Sequence, residues 1–180
     1  LPRPFHVLAT QNPIDQEGTY PLPEAQLDRF LMNIKISYPD HAAERKILNL
    51  SNDKADTEPK SILSSKELLE IQSLIKEIPI GESIVQYILN IIKHSRPETS
   101  EVKAVKENIL WGPSPRAGLA LMTTCKAKAF LENRYSPSIF DVQSLVKPIL
   151  SHRLKLNISA KSENINIDDI LDNIINHIKN

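Results

Sequence analysis

The spacing of hydrophobic and polar positions changes near residue 40 of the chain. Before it, an apolar run over residues 4–10 and an alternating run over residues 31–38 each predict a strand, and residues 24–30 predict a short helix. After it, apolar positions recur at helical spacing and predict about six helices. The cleanest amphipathic helix is the last one, with apolar positions at Ile167, Ile170, Leu171, Ile174, Ile175 and Ile178.

Capping residues and prolines set the expected bounds of these helices. Ser64 and Ser138 each begin a capping box, and Ser114 precedes Pro115 as an N-cap followed by proline at the first helical position. Residues 97–108 are polar and predict a mobile connection, and Pro148 should kink or end its helix. Because two strands alone do not make a stable sheet, we expect partner strands upstream of Leu1.

Composition and charge exclude several classes of protein. The 22 basic and 22 acidic residues balance to a formal net charge of zero, which argues against a nucleic-acid binder that works by bulk electrostatics. The single cysteine, Cys125, excludes an internal disulfide, fits a reducing, cytoplasmic compartment and is interpreted as a packing residue. No run approaches the roughly 20 apolar residues of a membrane span. The five histidines are scattered without paired ligand spacing, so no metal site is predicted.

The first candidate for chemistry is Asn12, which follows the first predicted strand in the run Ala-Thr-Gln-Asn-Pro. Ligands of open α/β folds bind beyond the carboxyl ends of strands, where an amide side chain can orient a water or hold a phosphate oxygen. The alternative interpretation is a simple turn, since Asn-Pro commonly initiates one.

Two arginines are the other candidates. Arg29, beside Phe30, could point out of its own subunit and stabilise charge on a phosphoryl group held by a neighbour. The alternative is an intrachain aspartate–arginine pair with Phe30 in the core. Arg116 lies in the first turn of a capped helix, where a cation opposes the helix dipole unless an anion answers it. Both a phosphate and a nearby carboxylate satisfy that requirement.

Three runs of residues resemble the MoxR family of AAA+ ATPases. The first spans residues 5–30 and includes Ala-Thr-Gln-Asn-Pro followed by Glu-Gly-Thr-Tyr-Pro-Leu-Pro-Glu-Ala-Gln-Leu-Asp-Arg-Phe; the others are Gly-Pro-Ser-Pro-Arg-Ala at 112–117 and Pro-Ile-Leu-Ser-His-Arg-Leu at 148–154. The resemblance covers nearly the whole chain and is weakest over residues 51–64 and 97–108. Pro113 and Asn133 depart from it, where the family usually has alanine and glycine.

The resemblance implies a role for each candidate. Asn12 is similar to sensor 1, which positions the attacking water. Arg29 looks like the arginine finger, which acts in trans on nucleotide held by the neighbouring subunit, and Arg116 looks like the sensor 2 arginine. It further implies ATP and Mg²⁺ as cofactors, a homo-oligomeric, hexameric ring, chaperone-like remodelling or maturation of partner proteins, and a von Willebrand factor A domain partner.

The phosphate-binding loop of such an ATPase is missing from the sequence. The four glycines (Gly18, Gly81, Gly112, Gly118) lie in no G-x-x-x-x-G-K-[ST] motif, and no Walker B strand ends in acidic residues. We therefore expect an α/β core fragment followed by an all-α lid, the C-terminal part of an AAA+ P-loop NTPase. Residues 1–38 form the edge of the core and residues 39–180 the helical lid, and the chain alone should be inactive. The alternative is a non-catalytic helical interaction or oligomerisation module that does not bind ATP alone.

Overall fold

Helices dominate the part of the chain that the structure describes. A computed structural model describes residues 2–11, 22–50 and 60–179. The elements in chain order are α1 (Glu24–Leu27), α2 (His41–Leu50), α3 (Ser65–Glu77), α4 (Glu82–His94), α5 (Lys103–Asn108), β1 (Ile109–Trp111), α6 (Pro115–Leu131), α7 (Ile139–Leu150), a 3-10 turn (Ser151–Arg153), β2 (Lys155–Leu156), α8 (Ile158–Ser162) and α9 (Ile167–Lys179). Within these ranges, no helix is long and apolar enough to cross a membrane.

The predicted helix starts are confirmed by their capping contacts. Ser64 and Ser138 form reciprocal capping boxes with Glu67 and Asp141. The Ser114 hydroxyl accepts the Arg116 N–H at 3.2 Å, with Pro115 as the first residue of α6. Each contact satisfies backbone donors that a helix leaves unpaired at its start.

The core lies among α4, α6, α7 and α9. Fully buried side chains from all four helices meet there, including Ile91, Leu121, Val146 and Ile174. The apolar stripe predicted for the last helix is the face that α9 buries. Cys125 of α6 is also fully buried, and this burial raises the pKa of its thiol to about 11, so the thiol packs in the core and is not available as a nucleophile.

The two predicted strands are wrong for the described residues. Residues 5–10 and 32–38 carry no regular secondary structure, and side chains such as Leu8 (96% exposed) and Ile36 (90%) are uncovered. A strand needs a neighbour to complete its ladder of hydrogen bonds, and none of the described segments pairs with either run. The two-stranded sheet instead joins β1 to β2 in antiparallel register, with Ile109 opposite Leu156.

The prediction of a mobile polar connection over residues 97–108 is also wrong. This stretch contains α5, and Val102 and Val105 reach the core. The Ser100 hydroxyl donates to the His94 carbonyl at 2.8 Å and is itself buried. Polar side chains that bond to local backbone look like loop in sequence, yet here they close a tight, buried turn. Pro148 lies inside α7, which ends two residues later at Leu150.

A buried ion pair joins the end of α6 to the start of α7. The Arg134 guanidinium donates to both oxygens of Asp141, at 2.8 and 2.7 Å, and the Asp141 side chain is 3% exposed. Asn133 lies in the turn between α6 and α7 and has a φ of 55°. This is a left-handed conformation that glycine and asparagine tolerate best. This geometry explains how asparagine can stand where the resembled family usually has glycine.

Acid should remove the contribution of this pair to stability. Burial opposes ionisation of Asp141, but its hydrogen bonds from Arg134 and Ser138 outweigh burial and lower its pKa from 3.8 to about 2. Because the folded pKa is depressed, the contribution is complete above pH 4 and is lost as the pH falls to 2. That loss amounts to about 2 kcal/mol. Urea unfolding at pH 7, 4, 3 and 2 measures it. Asp141→Asn should lack this part of the pH dependence, and an unchanged acid slope in that variant would contradict the assignment.

Candidate functional site

The start of α6 and the end of α1 meet at the carboxylate of Asp28. Its Oδ2 accepts the Ser114 hydroxyl at 2.7 Å and the Arg116 guanidinium at 3.2 Å. Its Oδ1 accepts the Nε–H of Arg153 at 3.3 Å. We call these four residues, Asp28, Ser114, Arg116 and Arg153, the Asp28 network. Through this network, Asp28, the residue before Arg29, is bonded to the two later runs that resemble the MoxR family, residues 112–117 and 148–154.

Arg153 is the buried centre of this network. Its side chain is only 2% exposed, and it donates to the carbonyls of Asp28 (3.2 Å), Leu31 (3.2 Å), Phe30 and Ile149. Five acceptors around one guanidinium match its five N–H donors. The buried charge is therefore paired and fully bonded, the condition under which an ion is tolerated away from water.

The residues that follow Arg29 are held against the lid by further contacts. The Asn33 N–H donates to the Pro148 carbonyl at 2.7 Å, and His152 Nε2 lies 3.2 Å from the Phe30 carbonyl. Lys35 pairs with Asp168 at 2.6 Å. We call residues 28–35 the finger arm. Its attachment to the 3-10 turn, α7 and α9 fixes the backbone on which Arg29 stands.

The network keeps Asp28 ionised. Partial burial acts to raise the pKa of this carboxyl, but the Ser114 hydroxyl, Arg116 and Arg153 act more strongly in the other direction, and the net pKa lies below its ordinary value. The positive charges of Arg116 and Arg153 beside this carboxylate disfavour a divalent cation at the same place. Asp28 therefore does not fit the role of a Mg²⁺ ligand in this arrangement.

Arg29 and Arg116 differ in their surroundings. The Arg29 side chain is exposed and makes no hydrogen bond or ion pair with any residue in the described ranges. Among the described residues the intrachain pair does not form, since Asp28 pairs with Arg116 and Arg153 instead. Arg116 pairs with the carboxylate of Asp28, and the sequence had allowed either a carboxylate or a phosphate as its anion. The Arg116 side chain nevertheless remains 58% exposed. Asn12, with the rest of residues 12–21, lies outside the described residues.

Sequence reasoning missed Asp28 and Arg153. Arg153 belongs to a run quoted for its resemblance, but no local pattern distinguishes a buried arginine from an exposed one. The sequence signal that could have found Arg153 is its partner, Asp28. Asp28 directly precedes Arg29, and a carboxylate at that position needs a cation from elsewhere in the chain.

Gly112 sets how closely α6 approaches the end of α4. A Cβ at this position would lie 2.7 Å from the Ser95 carbonyl oxygen and 2.8 Å from the Arg96 Cα. The Arg96 Nε–H donates to the Pro113 carbonyl at 3.0 Å, which holds the same approach. Only glycine fits here without moving backbone, so the run Gly-Pro-Ser-Pro-Arg delivers Arg116 from a sterically fixed point.

Gly112→Ala should therefore destabilise the chain by about 1–3 kcal/mol. The reason is that the added methyl group overlaps backbone, which cannot rotate away as a flexible side chain can. Gly118→Ala is the matched control, since a Cβ there meets only Ile92 Cγ1 at 3.8 Å and Ile88 Cγ2 at 4.0 Å. Equilibrium urea unfolding of both variants measures the difference, and equal midpoints would refute the steric argument.

Comparisons with known proteins agree with this geometry. A model described as "ATPase family associated with various cellular activities (AAA)" matches residues 1–32, and one described as "AAA lid domain" matches residues 102–174. The chain is 34% identical over 176 residues to Chaperone MoxR1 of Mycobacterium tuberculosis, covering 97% of this chain and 46% of that protein. It is 35% identical over 180 residues to the uncharacterised protein YeaC of Bacillus subtilis, covering 99% and 54%. A crystal structure of a candidate ATPase from Cytophaga hutchinsonii superposes with a TM-score of 0.91 at 39% identity, covering 98% of this chain and 54% of that one.

An AAA core segment joined to an AAA lid defines the class: this is the fold of the C-terminal part of an AAA+ ATPase. Within that class, the chain belongs to the MoxR family. It spans about half the length of the relatives that it matches. The recognition and fold class inferred from the sequence are thus confirmed, whereas the division at residue 38 and the roles of Asn12, Arg29 and Arg116 stay predictions.

Proposed function

We propose that this chain supplies the arginine finger, the two sensors and the lid of a MoxR-type ring ATPase. One observation carries the proposal: an exposed Arg29, whose side chain pairs with none of the described residues, stands one residue from the carboxylate that holds Arg116. Two candidate phosphate-binding cations are thereby tied to a single buried network. A cation that pairs with no described residue of its own chain is available to a neighbouring subunit, as a finger that acts in trans must be.

Arg29 would act through charge. Phosphoryl transfer develops negative charge on the transferring group, and an arginine supplied in trans accelerates it by roughly 10³–10⁵. That corresponds to about 4–7 kcal/mol of barrier. Fixing the finger arm to the lid reduces the entropy lost when the guanidinium is placed, since its backbone is already held.

Arg116 would respond to nucleotide by exchanging partners. The N-terminus of the 17-residue α6 favours anions through its free N–H groups and its dipole, and half of the Arg116 side chain is open to solvent. A phosphate at this end would compete with Asp28 for the guanidinium. Weakening that contact would leave Asp28 held by Ser114 and Arg153, so the finger arm would stay attached while the lid arginine is redirected.

Arg29 and Arg116 fit the phosphates of ATP, and Asn12 would orient the attacking water as sensor 1. ATP supplies, when bound, the phosphoryl group that is transferred to water. The carboxylate at this site pairs with two arginines, whose positive charges disfavour a Mg²⁺ ion beside it. The P-loop and Walker B residues that would hold both would come from a segment outside this sequence.

We further propose that the assembled ring is a homo-oligomer that remodels or matures partner proteins in a chaperone-like manner in the cytoplasm. The support is family membership and the name of one relative, Chaperone MoxR1. A partner with a von Willebrand factor A domain is the expectation from the family resemblance.

Titration with a fluorescent ATP analogue and Mg²⁺ tests where the nucleotide binds. The 180-residue chain should show no micromolar binding, and a longer protein that adds a P-loop should bind tightly. Tight binding by the 180-residue chain would reveal a phosphate site of its own and overturn the proposal. The absence of binding and hydrolysis in the longer protein would favour the non-catalytic module instead.

A further inference from the structure

Three residues with metal-binding side chains converge on the side of the lid formed by α4 and α9. His94 is the last residue of α4, His177 lies in the last turn of α9, and Glu101 lies in the turn that follows α4. One candidate ligand atom from each residue lies within 4.8 Å of the other two. The scattered spacing of histidines argued against a metal site, but folding brings two of them into ring contact.

The three side chains are already partly ordered around one another. The His94 and His177 rings meet edge to face with their centroids 4.9 Å apart. His177 Nε2 lies 3.9 Å from a Glu101 oxygen, and the Glu101 N–H donates to His94 Nδ1 at 3.2 Å. His94 is buried (7% exposed), whereas the side chains of His177 and Glu101 are 41% and 64% exposed. One ligand is therefore fixed and two can adjust.

The surroundings of the cluster favour a cation on balance. The C-terminal ends of two 13-residue helices meet here, and each carries a partial negative charge. The opposing group is Lys93, which pairs with Glu101 at 3.2 Å but is half exposed and can turn into solvent. The adjoining cavity of about 540 Å³ is lined by Glu107, Lys103, Asn173 and Asn176, among others, and Lys103 pairs with Glu107. This cavity gives water access to a fourth coordination position.

The ligand chemistry selects among cations. Two imidazole nitrogens and one carboxylate oxygen suit Zn²⁺ and its neighbours in the first transition row, whereas Mg²⁺ and Ca²⁺ prefer oxygen ligands alone. Metal–ligand distances of about 2.0–2.1 Å place the ligands of a tetrahedral zinc ion roughly 3.3 Å apart. The spread of 4.8 Å must therefore shrink by about 1.5 Å, which rotation of the exposed His177 and Glu101 side chains can supply.

We propose that His94, Glu101 and His177 bind one Zn²⁺ ion, with water as the fourth ligand, and that the ion staples the end of α4 to the end of α9. The ion takes lone pairs from one nitrogen of each imidazole and from the Glu101 carboxylate. Glu101 exchanges Lys93 for the metal, and the long Glu101 N–H contact to the His94 ring gives way. The site lies on α4 and α9, outside the Asp28 network, so this proposal does not depend on the proposed ATPase function.

Isothermal titration of the 180-residue chain with ZnCl₂ at pH 7.5, after removal of any histidine tag, tests the proposal. We expect one ion per chain with a dissociation constant of about 1 μM, and Co²⁺ in place of Zn²⁺ should give the visible absorption of a four-coordinate site. Binding should weaken sharply at pH 5.5, where protons compete with the metal for the imidazole nitrogens.

Exposed ligands provide the decisive variants, because substitution of the buried His94 could disturb folding. His177→Gln and Glu101→Gln should each weaken Zn²⁺ binding at least ~10-fold, with circular dichroism unchanged. His41→Gln, an exposed histidine at the start of α2, is the matched control and should bind as the wild type does. No binding at 100 μM Zn²⁺, or equal binding by the His177 and Glu101 variants and the wild type, would overturn the proposal.

Discussion

Replacement of Arg29 by alanine in a full-length MoxR-type ATPase that contains this chain should lower ATP turnover by roughly 10³–10⁵. ATP affinity should change little, because the finger would act on nucleotide held by the neighbour and mainly in the transition state. Steady-state hydrolysis, together with a fluorescent-nucleotide binding isotherm, separates the two quantities. The finger arm should remain in place, since its bonds to Arg153 and Pro148 do not involve the Arg29 side chain.

Arg45→Ala is the matched control, since Arg45 is an exposed arginine on α2 outside the finger arm. It removes the same charge and should leave turnover unchanged. A mixing experiment adds a second check, in which Arg29→Ala subunits are combined with subunits that cannot bind ATP. The first kind keeps its nucleotide site and the second keeps its finger. Turnover should therefore recover only at interfaces where the finger of the second kind faces the nucleotide site of the first. Equal losses of affinity and turnover in Arg29→Ala would contradict the assignment of a finger acting in trans.

Local signals in the sequence were sufficient for the starts of α3, α6 and α7 and for the buried face of α9. Capping depends on residues three positions apart, as in Ser138 and Asp141, and the buried stripe of α9 follows from its own periodicity. The prediction of two strands was wrong because strand pairing depends on two segments. Alternation of polar and apolar residues in one segment does not show whether a pairing neighbour is present. The helix α5 was missed because the polar residues before it, such as Ser100, bond within a buried turn that only the folded chain creates.

For the site, the sequence identified the arginines but not what holds them. Arg116 was recognised from its position in a capped first turn, where an anion is required, but the identity of that anion depends on which carboxylate the fold brings near. Asp28 and Arg153 are far apart in the sequence and meet only in the folded chain. Their pairing also occupies the Asp28 carboxylate, and Arg29 beside it pairs with none of the described residues.

Arg153→Met tests whether this network holds the finger arm. Methionine has a similar length but no donors, so Asp28 and three carbonyls of the arm lose their common partner. Removing one member of a buried ion pair costs about 3–5 kcal/mol. If that loss falls on attachment of the arm, hydrogen exchange at the Asn33 amide, which donates to Pro148, should accelerate by roughly 10²-fold or more.

Arg134→Met provides a control of the same chemistry. Arg134 also pairs with a buried carboxylate, Asp141, but its contacts lie within the corner between α6 and α7 and none reaches the finger arm. It should destabilise that corner and leave exchange at Asn33 close to the wild-type rate under native conditions. If both variants accelerate hydrogen exchange at Asn33 equally, the effect is a general loss of stability. Arg153 would then not specifically hold the finger arm. A selective effect would mean that one buried guanidinium fixes the candidate finger to the lid, so that any movement of the lid would also move Arg29.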